Sequence, residues 1–424
     1  MNKENKDYTR WNRQVYKLKS ISDFFLIDNF DDGIYSFGVP SCNLDILIKG
    51  IKKTPTQQRA PCLVFFGGAL TGRPIGVNPP FFSGIGIASS TSLPLISISD
   101  PTLSFSDSLL LSWYAGNDRE RSLPIVLSAI LDHISEKYYL KLILVGGSGG
   151  GFAALSQACL LRCTATVVVW NPQTDIAAYD QKAVIKYLSA AFQESIEENL
   201  IDLEEIQRRS AIKAALDSSG IFYSLINKSI PIKMDILYLQ NVHDWHVLSH
   251  AKPFLINRNN EWRRVGKSSF SNSKNIALHF GDWGPGHAGP PGELIGTILK
   301  KITAGDSSVD VATFLSTGPL TPEYTHFFSA DNFNIEGKFS AVVSESSKGC
   351  KITIEPSAGI LSENLEYAIY VFVNGIRNVY WYQPSKEFEV PFHRSHIEGV
   401  RIFIRDIWQD IRWCHASKGA ERLV

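Results

Sequence analysis

The sequence predicts an α/β fold, a parallel sheet covered by helices, followed by a smaller β-sandwich. Two observations predict it: apolar runs alternate with helical stretches from Cys62 to Ile302, and beyond about Gly318 the texture changes to short β-rich runs between turn residues. A third marks its centre. The apolar run Leu142-Ile143-Leu144-Val145 passes through Gly146-Gly147-Ser148-Gly149-Gly150-Gly151 into a small-residue helix beginning near Phe152.

Taken in order, residues 1–60 read as leading antiparallel strands. Phe24-Phe25-Leu26-Ile27 and Leu44-Asp45-Ile46-Leu47-Ile48 are β-like runs, broken by Asp31-Asp32-Gly33 and Val39-Pro40. Residues 61–317 form the main domain. Cys62 to Phe66 is a fully apolar strand ending in Gly67-Gly68, and Leu95 to Ser99 is a second, ending in Asp100-Pro101. Leu123 to Tyr138 reads as a helix with Ile125, Ala129, Ile130 and Ile134 on one face. Thr166 to Trp170 is another buried strand, ending in Asn171-Pro172-Gln173-Thr174. Residues 176–228 turn helical and polar, and suit a cap over a site. Their acids, Glu194, Glu197, Glu198, Asp202, Glu204 and Glu205, read as a solvated face. Two further strands, Met234 to Gln240 and Asn275 to Phe280, lead into Asn241-Val242-His243-Asp244 and a loop containing His287, and a helix from Gly292 to Ile302 closes the domain. Residues 318–424 read as the β-sandwich, with Asn374-Gly375 as a hairpin turn.

Composition narrows the function classes. Lys+Arg and Asp+Glu both number 42, so no net charge draws the chain to nucleic acid or to an anionic membrane. No run approaches the ~20 apolar residues of a transmembrane helix, and Met1 to Asp7 lacks the apolar core of a signal peptide, so a cytoplasmic protein is expected. The six cysteines are too scattered for a disulfide framework. Cys159 and Cys163 lie four apart, but no second ligand pair follows at zinc-site spacing, so no metal is expected and both read as structural.

Gly-x-Ser-x-Gly between strand and helix reads as a nucleophile elbow, in which glycines flank the serine where a Cβ would clash. The competing reading is a phosphate-binding glycine loop, weakened by the missing Lys-Ser/Thr pair. A serine hydroxyl needs a base to take its proton, and the base needs an acid to orient it. Asp244 is the expected acid, with Asp282 and Asp235 as substitutes. His287 is the expected base, in competition with His243, His246, His250 and His279. His243 and His246 flank Asp244 and would suit a metal pair, although no third ligand set is evident. Trp245, Trp283 and Asn171 are expected to bind substrate, aromatic faces being suited to sugar rings.

From about Cys62 to Ile302 the chain resembles the α/β-hydrolase superfamily, on the order Ser148, Asp244, His287 and on Phe66-Gly67-Gly68-Ala69. The resemblance implies an oxyanion hole formed by the N–H of Gly149 with that of Gly68 or Ala69, donors each worth ~3 kcal/mol to the transition state. Gly147 to Leu155, together with Trp170 to Thr174, is also similar to hydrolase-fold proteins and O-acetyltransferases of bacterial surface-polysaccharide and capsule biosynthesis. Tyr367 to Asp406, with Val379-Tyr380-Trp381-Tyr382, is similar to small β-domains attached to such proteins.

The resulting expectation is an esterase or an O-acyl(acetyl)transferase acting on a carbohydrate or polysaccharide. Hydrolysis requires no cofactor, and transfer would take acetyl-CoA as donor, with Arg73 the nearest candidate for its phosphates or else a surface charge. Association with a polysaccharide-biosynthesis complex or with a second copy is open. The rival class is a scaffold that binds glycan or protein on a hydrolase fold without turnover.

Overall fold

The computed structural model describes residues 6–39, 42–53, 58–74, 76–192, 203–256, 262–272, 274–322, 339–356, 365–406 and 411–418. The chain divides into two units, Met1–Thr321 and Pro322–Val424.

The first unit is built on one sheet. Its strands are β1 (Val15–Lys17), β2 (Gly33–Val39), β3 (Cys42–Lys49), β4 (Ala60–Phe66), β5 (Leu95–Ser99), β6 (Leu140–Gly147), β7 (Ala165–Trp170), β8 (Asp235–Asn241), β9 (Arg263–Gly266), β10 (Ser269–Ser271) and β11 (Ile276–Gly281). The sheet order is β1-β2-β3-β5-β4-β6-β7-β8-β11-β10-β9. From β5 through β4, β6, β7 and β8 to β11 every pairing is parallel. Strands buried on both faces must be apolar throughout, which is why Leu142, Ile143, Leu144 and Val145 of β6 and Val167, Val168 and Val169 of β7 are all essentially inaccessible. The leading strands β2 and β3 are antiparallel and continue the same sheet beyond β5.

Helices Leu123–Lys137, Gly149–Leu160, Gly292–Ala304 and Ser308–Leu315 belong to this unit, and helices Gln181–Phe192 and Glu205–Ser219 lie in the expected cap region between β7 and β8. Glu194, Glu197, Glu198 and Asp202 of the acidic run lie outside the described residues. Among the described residues no helix is long and apolar enough to cross a membrane.

Two expectations are corrected. Phe24 and Phe25 belong to a helix, Ile21–Phe25, whose start is fixed by a capping box between Ser20 and Asp23. In helix Leu123–Lys137 the buried face carries Leu123, Leu127, Ile130, Leu131 and Ile134, while Ile125 is 59% exposed.

The second unit holds two antiparallel sheets. β12 (Phe339–Ser346), β13 (Gly349–Pro356) and β16 (Glu387–Val390) form one, and β15 (Ile376–Gln383), β14 (Leu365–Val373), β17 (Ile397–Asp406) and β18 (Ile411–Lys418) the other. Residues from both, including Ile352, Ile354, Ile369, Val371 and Ile402, share one buried core, which makes the unit a sandwich. The β14–β15 hairpin turns at Asn374 and Gly375, both with positive φ (50° and 73°), as the expected Asn-Gly turn requires.

Candidate active site

The sheet order dictates where a site can form. The chain passes from β4 to β5 on one side, then returns across β4 to β6 and continues the other way through β7 and β8 to β11. Where that order reverses, the connections leaving two neighbouring strands diverge and open a crevice beyond their carboxyl ends. Gly67-Gly68-Ala69 leaves β4 at this point and Ser148 follows β6. Asp244 follows β8 and His287 follows β11, strands parallel to β6 through β7, so all three residues emerge at one edge of the sheet. The fold is that of an α/β-hydrolase.

Ser148 occupies the sharp turn between β6 and helix Gly149–Leu160, with φ 54° and ψ −122°. A non-glycine residue is strained there and stays only because its surroundings fix it. Its N–H donates to the Trp170 carbonyl (3.0 Å), and its own carbonyl accepts from the N–H of Phe152 (3.2 Å) and Gln173 (3.1 Å). Two glycines make the turn possible. A Cβ on Gly150 would lie 2.3 Å from the Phe66 carbonyl oxygen, and one on Gly147 would lie 2.0 Å from Trp170 Nε1. Gly68 packs against the elbow so closely that its own Cβ would stand 3.1 Å from the Gly147 oxygen and 3.7 Å from Ser148 Cβ. The Gly67 N–H is taken by the Tyr114 hydroxyl (2.8 Å). Among the described residues no hydrogen bond takes up the N–H of Gly68 or Ala69.

His287 Nδ1 lies 2.6 Å from Asp244 Oδ2, and the Asp244 side chain is fully buried. A carboxylate only accepts, so Nδ1 carries the proton and the partly exposed Nε2 is left as the basic atom. The loop holding His287 is pinned from below. Asn241 Nδ2 donates to the carbonyls of Gly284 and Gly286, both at 2.8 Å, and Asn171 Nδ2 donates to that of Ala288 at 2.8 Å. The other Asp244 oxygen, Oδ1, accepts from the His246 N–H (3.0 Å).

The competing histidines have other places. His246 is buried, and its Nδ1 donates to the Asn171 carbonyl (3.1 Å). Burial, with His250 beside it, pushes its pKa down to about 3. His250 and His279 are likewise held at about 3 by burial. His243 Nε2 lies 3.2 Å from Asp282 Oδ1. Ligand atoms of Asp244, His246 and His287 fall within 4.8 Å of one another, close enough for a small cation. Two of those three groups are already joined by the His287–Asp244 hydrogen bond.

Gln173 is the residue the sequence reading passed over. It is wholly buried, and its Oε1 accepts from Trp113 Nε1. Indole N–H only donates, so the Gln173 amide orientation is fixed and its NH₂ faces the serine, with Nε2 3.1 Å from Ser148 Oγ. Ser148 Oγ must accept there, which turns its own proton away from Gln173. Among the described residues this is the only side-chain hydrogen bond of Ser148, and none joins it to His287. Bonds between nucleophile and base commonly tighten only when substrate binds.

The three expected substrate-binding residues separate. Trp245 is 48% exposed, stacked on Tyr179 (centroids 5.7 Å, 24°) and edge-on to His246 (4.1 Å). Trp283 packs partly into the core, where Gly281 leaves room for its ring. Asn171 is buried; its Nδ2 donates to the Ala288 carbonyl and its Oδ1 accepts from the Asn241 N–H (2.7 Å) and Gln240 Nε2 (3.2 Å), so it anchors the loop that carries His287. Arg73 is neither a phosphate ligand nor a surface charge. Its enclosed guanidinium donates to the carbonyls of Val77, Leu103, Ser106 and Leu109 and pairs with Asp107.

No protein-family model and no curated protein sequence matches the chain. Among solved structures it is similar to the capsule O-acetyltransferase of Neisseria meningitidis serogroup A, with 14% identity over 65% of this chain and 97% of that one and a TM-score of 0.42. It is also similar to acetyl xylan esterase 1 from Thermoanaerobacterium sp., with 15% identity over 66% and 89% of the two chains and a TM-score of 0.36. A third similarity is to the Glycosylation Associate Protein complex from Streptococcus agalactiae, with 13% identity, 62% of this chain, 45% of that one and a TM-score of 0.38. At such identities these similarities assign no residue and no substrate within the hydrolase fold.

Proposed function

We propose that this chain performs serine-dependent ester chemistry through an acyl-enzyme, with a carbohydrate as substrate or acceptor. The observation that carries the reading is the 2.6 Å contact between His287 Nδ1 and buried Asp244, at the same sheet edge as a serine held at φ 54°.

In the first half-reaction Ser148 Oγ attacks the ester or thioester carbonyl and His287 Nε2 takes its proton. Asp244 fixes the tautomer and stabilises the imidazolium. The N–H of Gly149, with that of Gly68 or Ala69, receives the charge developing on the carbonyl oxygen. Collapse of the tetrahedral adduct breaks the bond to the leaving alcohol or thiol, which departs with the proton from His287. In the second half-reaction water or a sugar hydroxyl gives its proton to His287 and attacks the acyl carbon, and the proton returns to Ser148 Oγ. Water makes the protein an esterase; a sugar hydroxyl makes it an acyltransferase, for which acetyl-CoA is the proposed donor and the cytoplasm the proposed place.

Intact mass after incubation with p-nitrophenyl acetate, and separately with acetyl-CoA, tests the reading. A single acetyl adduct on the wild type, absent from Ser148→Ala, is expected. An adduct from acetyl-CoA that disappears on adding a saccharide selects the transferase, whereas turnover of the p-nitrophenyl ester without acetyl-CoA reactivity selects the esterase. Equal labelling of wild type and Ser148→Ala overturns the nucleophile.

A further inference from the structure

A cavity of about 650 Å³ lies between the cap and the loop after β8, lined on one side by Trp245, the residue after Asp244. That volume falls within the roughly 300–1,000 Å³ typical of small-molecule sites. Its lining combines Trp245 and Tyr179 with three acids, Asp180, Glu204 and Glu205, and three bases, Lys182, Arg208 and Arg209. We propose that this cavity is the subsite for the saccharide, taking an uncharged pyranose ring against the stacked Trp245 and Tyr179. The inference rests on the acyl-transfer reading above and names the partner class of that same site.

The aromatic pair sets the shape of the ligand. Trp245 and Tyr179 lie within 24° of parallel, and about half of Trp245 remains exposed in a residue type whose large apolar face is favourably buried. The electron-rich ring face suits the weakly positive C–H groups along one side of a sugar ring, so a flat, partly apolar, partly hydroxylated ligand matches it. The charged side chains set its polarity. Carboxylates accept from sugar hydroxyls and guanidinium groups donate to them, through charge-assisted hydrogen bonds. Three acids against three bases leave no net charge, and Arg209 is already paired with Glu205 at 3.0 Å. A polyphosphate such as coenzyme A would find no net positive charge there, whereas a neutral sugar requires none.

The cavity connects to the reaction centre through intervening rings. Trp245 meets His246 at 4.1 Å and His246 meets His287 at 4.2 Å, ring centre to ring centre. Tyr179 also packs edge-on to Trp113 (centroids 5.8 Å), whose Nε1 donates to Gln173, which in turn donates to Ser148 Oγ. The two aromatic rings that line the cavity are thus one side chain removed from the base and two from the serine.

The test measures binding apart from turnover, by isothermal titration of full-length Ser148→Ala protein with neutral hexose and N-acetylhexosamine oligosaccharides, a sialylated oligosaccharide and coenzyme A. At least one neutral oligosaccharide is expected to bind. Trp245→Ala, and separately Glu204→Gln and Arg209→Ala on the exposed rim, where folding is least at risk, should each weaken it about tenfold or more. No binding by any neutral probe, affinity unchanged in all three variants, or displacement of the sugar by coenzyme A overturns the subsite. Labelling of wild-type Ser148 by a serine-directed phosphonate is followed in parallel. Labelling without sugar binding rejects the subsite alone, and its absence rejects the acyl-enzyme reading.

Discussion

Gln173 shows how one buried amide sets the orientation of a serine hydroxyl. Because Trp113 fixes which end of the amide faces Ser148, the serine proton is directed elsewhere and remains available for transfer. Gln173→Glu would reverse the bond, drawing the Ser148 proton toward the carboxylate, and Gln173→Met would remove the donor while keeping the volume. With a single hydrogen bond worth roughly 0.5–1.5 kcal/mol, phosphonate labelling of Ser148 is expected to slow by about tenfold in Gln173→Met. The slowing should fall on kcat for p-nitrophenyl acetate and leave KM in place. Unchanged kinetics with an unchanged melting temperature would remove Gln173 from any positioning role. That Ser148, Asp244 and His287 come to one edge of the sheet was legible in the sequence, because each follows an apolar strand in a fixed order. Gln173 was not, since its role comes from Trp113, which lies 60 positions away and is brought to it only by folding. The partners of Asn171 were hidden for the same reason: they lie in other strands and loops, brought to it only by folding.

At the scale of elements, the elbow depends on backbone meeting backbone. Strand β4 and helix Gly149–Leu160 approach so closely at Gly150 that a Cβ there would meet the Phe66 carbonyl, with no flexible side chain to yield. Gly150→Ala should lower stability by about 1–3 kcal/mol or more, in the range of overpacked cores. Gly296 supplies the contrast. It lies inside helix Gly292–Ala304 with nothing within 4 Å of a Cβ, so Gly296→Ala should gain about 0.5–1 kcal/mol. Denaturation midpoints of the two variants check both signs. Elements with a clear period or a fully apolar run were legible, as β4, β6 and β7 show. The run from Phe24 to Ile27 is too short for period alone to decide, and Ser20 with Asp23 held the missing signal, a capping box that starts a helix. Ile125 was placed on the buried face of its helix although the stripe through Leu127 and Leu131 leaves it outside.

Across the whole molecule, three buried imidazoles tie stability to pH. Burial holds His246, His250 and His279 at about 3 in the folded chain, against about 6.5 when unfolded. Their folded values are depressed, so below about 6.5 the unfolded chain binds protons that the folded chain refuses. The stability they contribute is present in full above that pH and is lost as pH falls toward 3, with a slope of up to ~1.4 kcal/mol per unit for each histidine. His279→Asn, remote from Asp244, should flatten the pH dependence of unfolding by about one such increment between about pH 6 and 4. An unaltered slope would mean that His279 is protonated in the native protein. The overall architecture, a hydrolase sheet with a cap and a separate sandwich, was legible because the texture of the sequence changes where the chain divides.

The φ of 54° at Ser148 has a consequence for how this protein can change. Glycine is the residue most at ease in that conformation, so the substitution that removes the hydroxyl is also the one that relaxes the turn. Under the proposed acyl-enzyme chemistry, thermodynamic stability and reactivity therefore pull in opposite directions at one codon. A lineage released from the need for the reaction would find inactivation downhill, while one that keeps the serine carries a permanent, localised tension in an otherwise well-packed sheet.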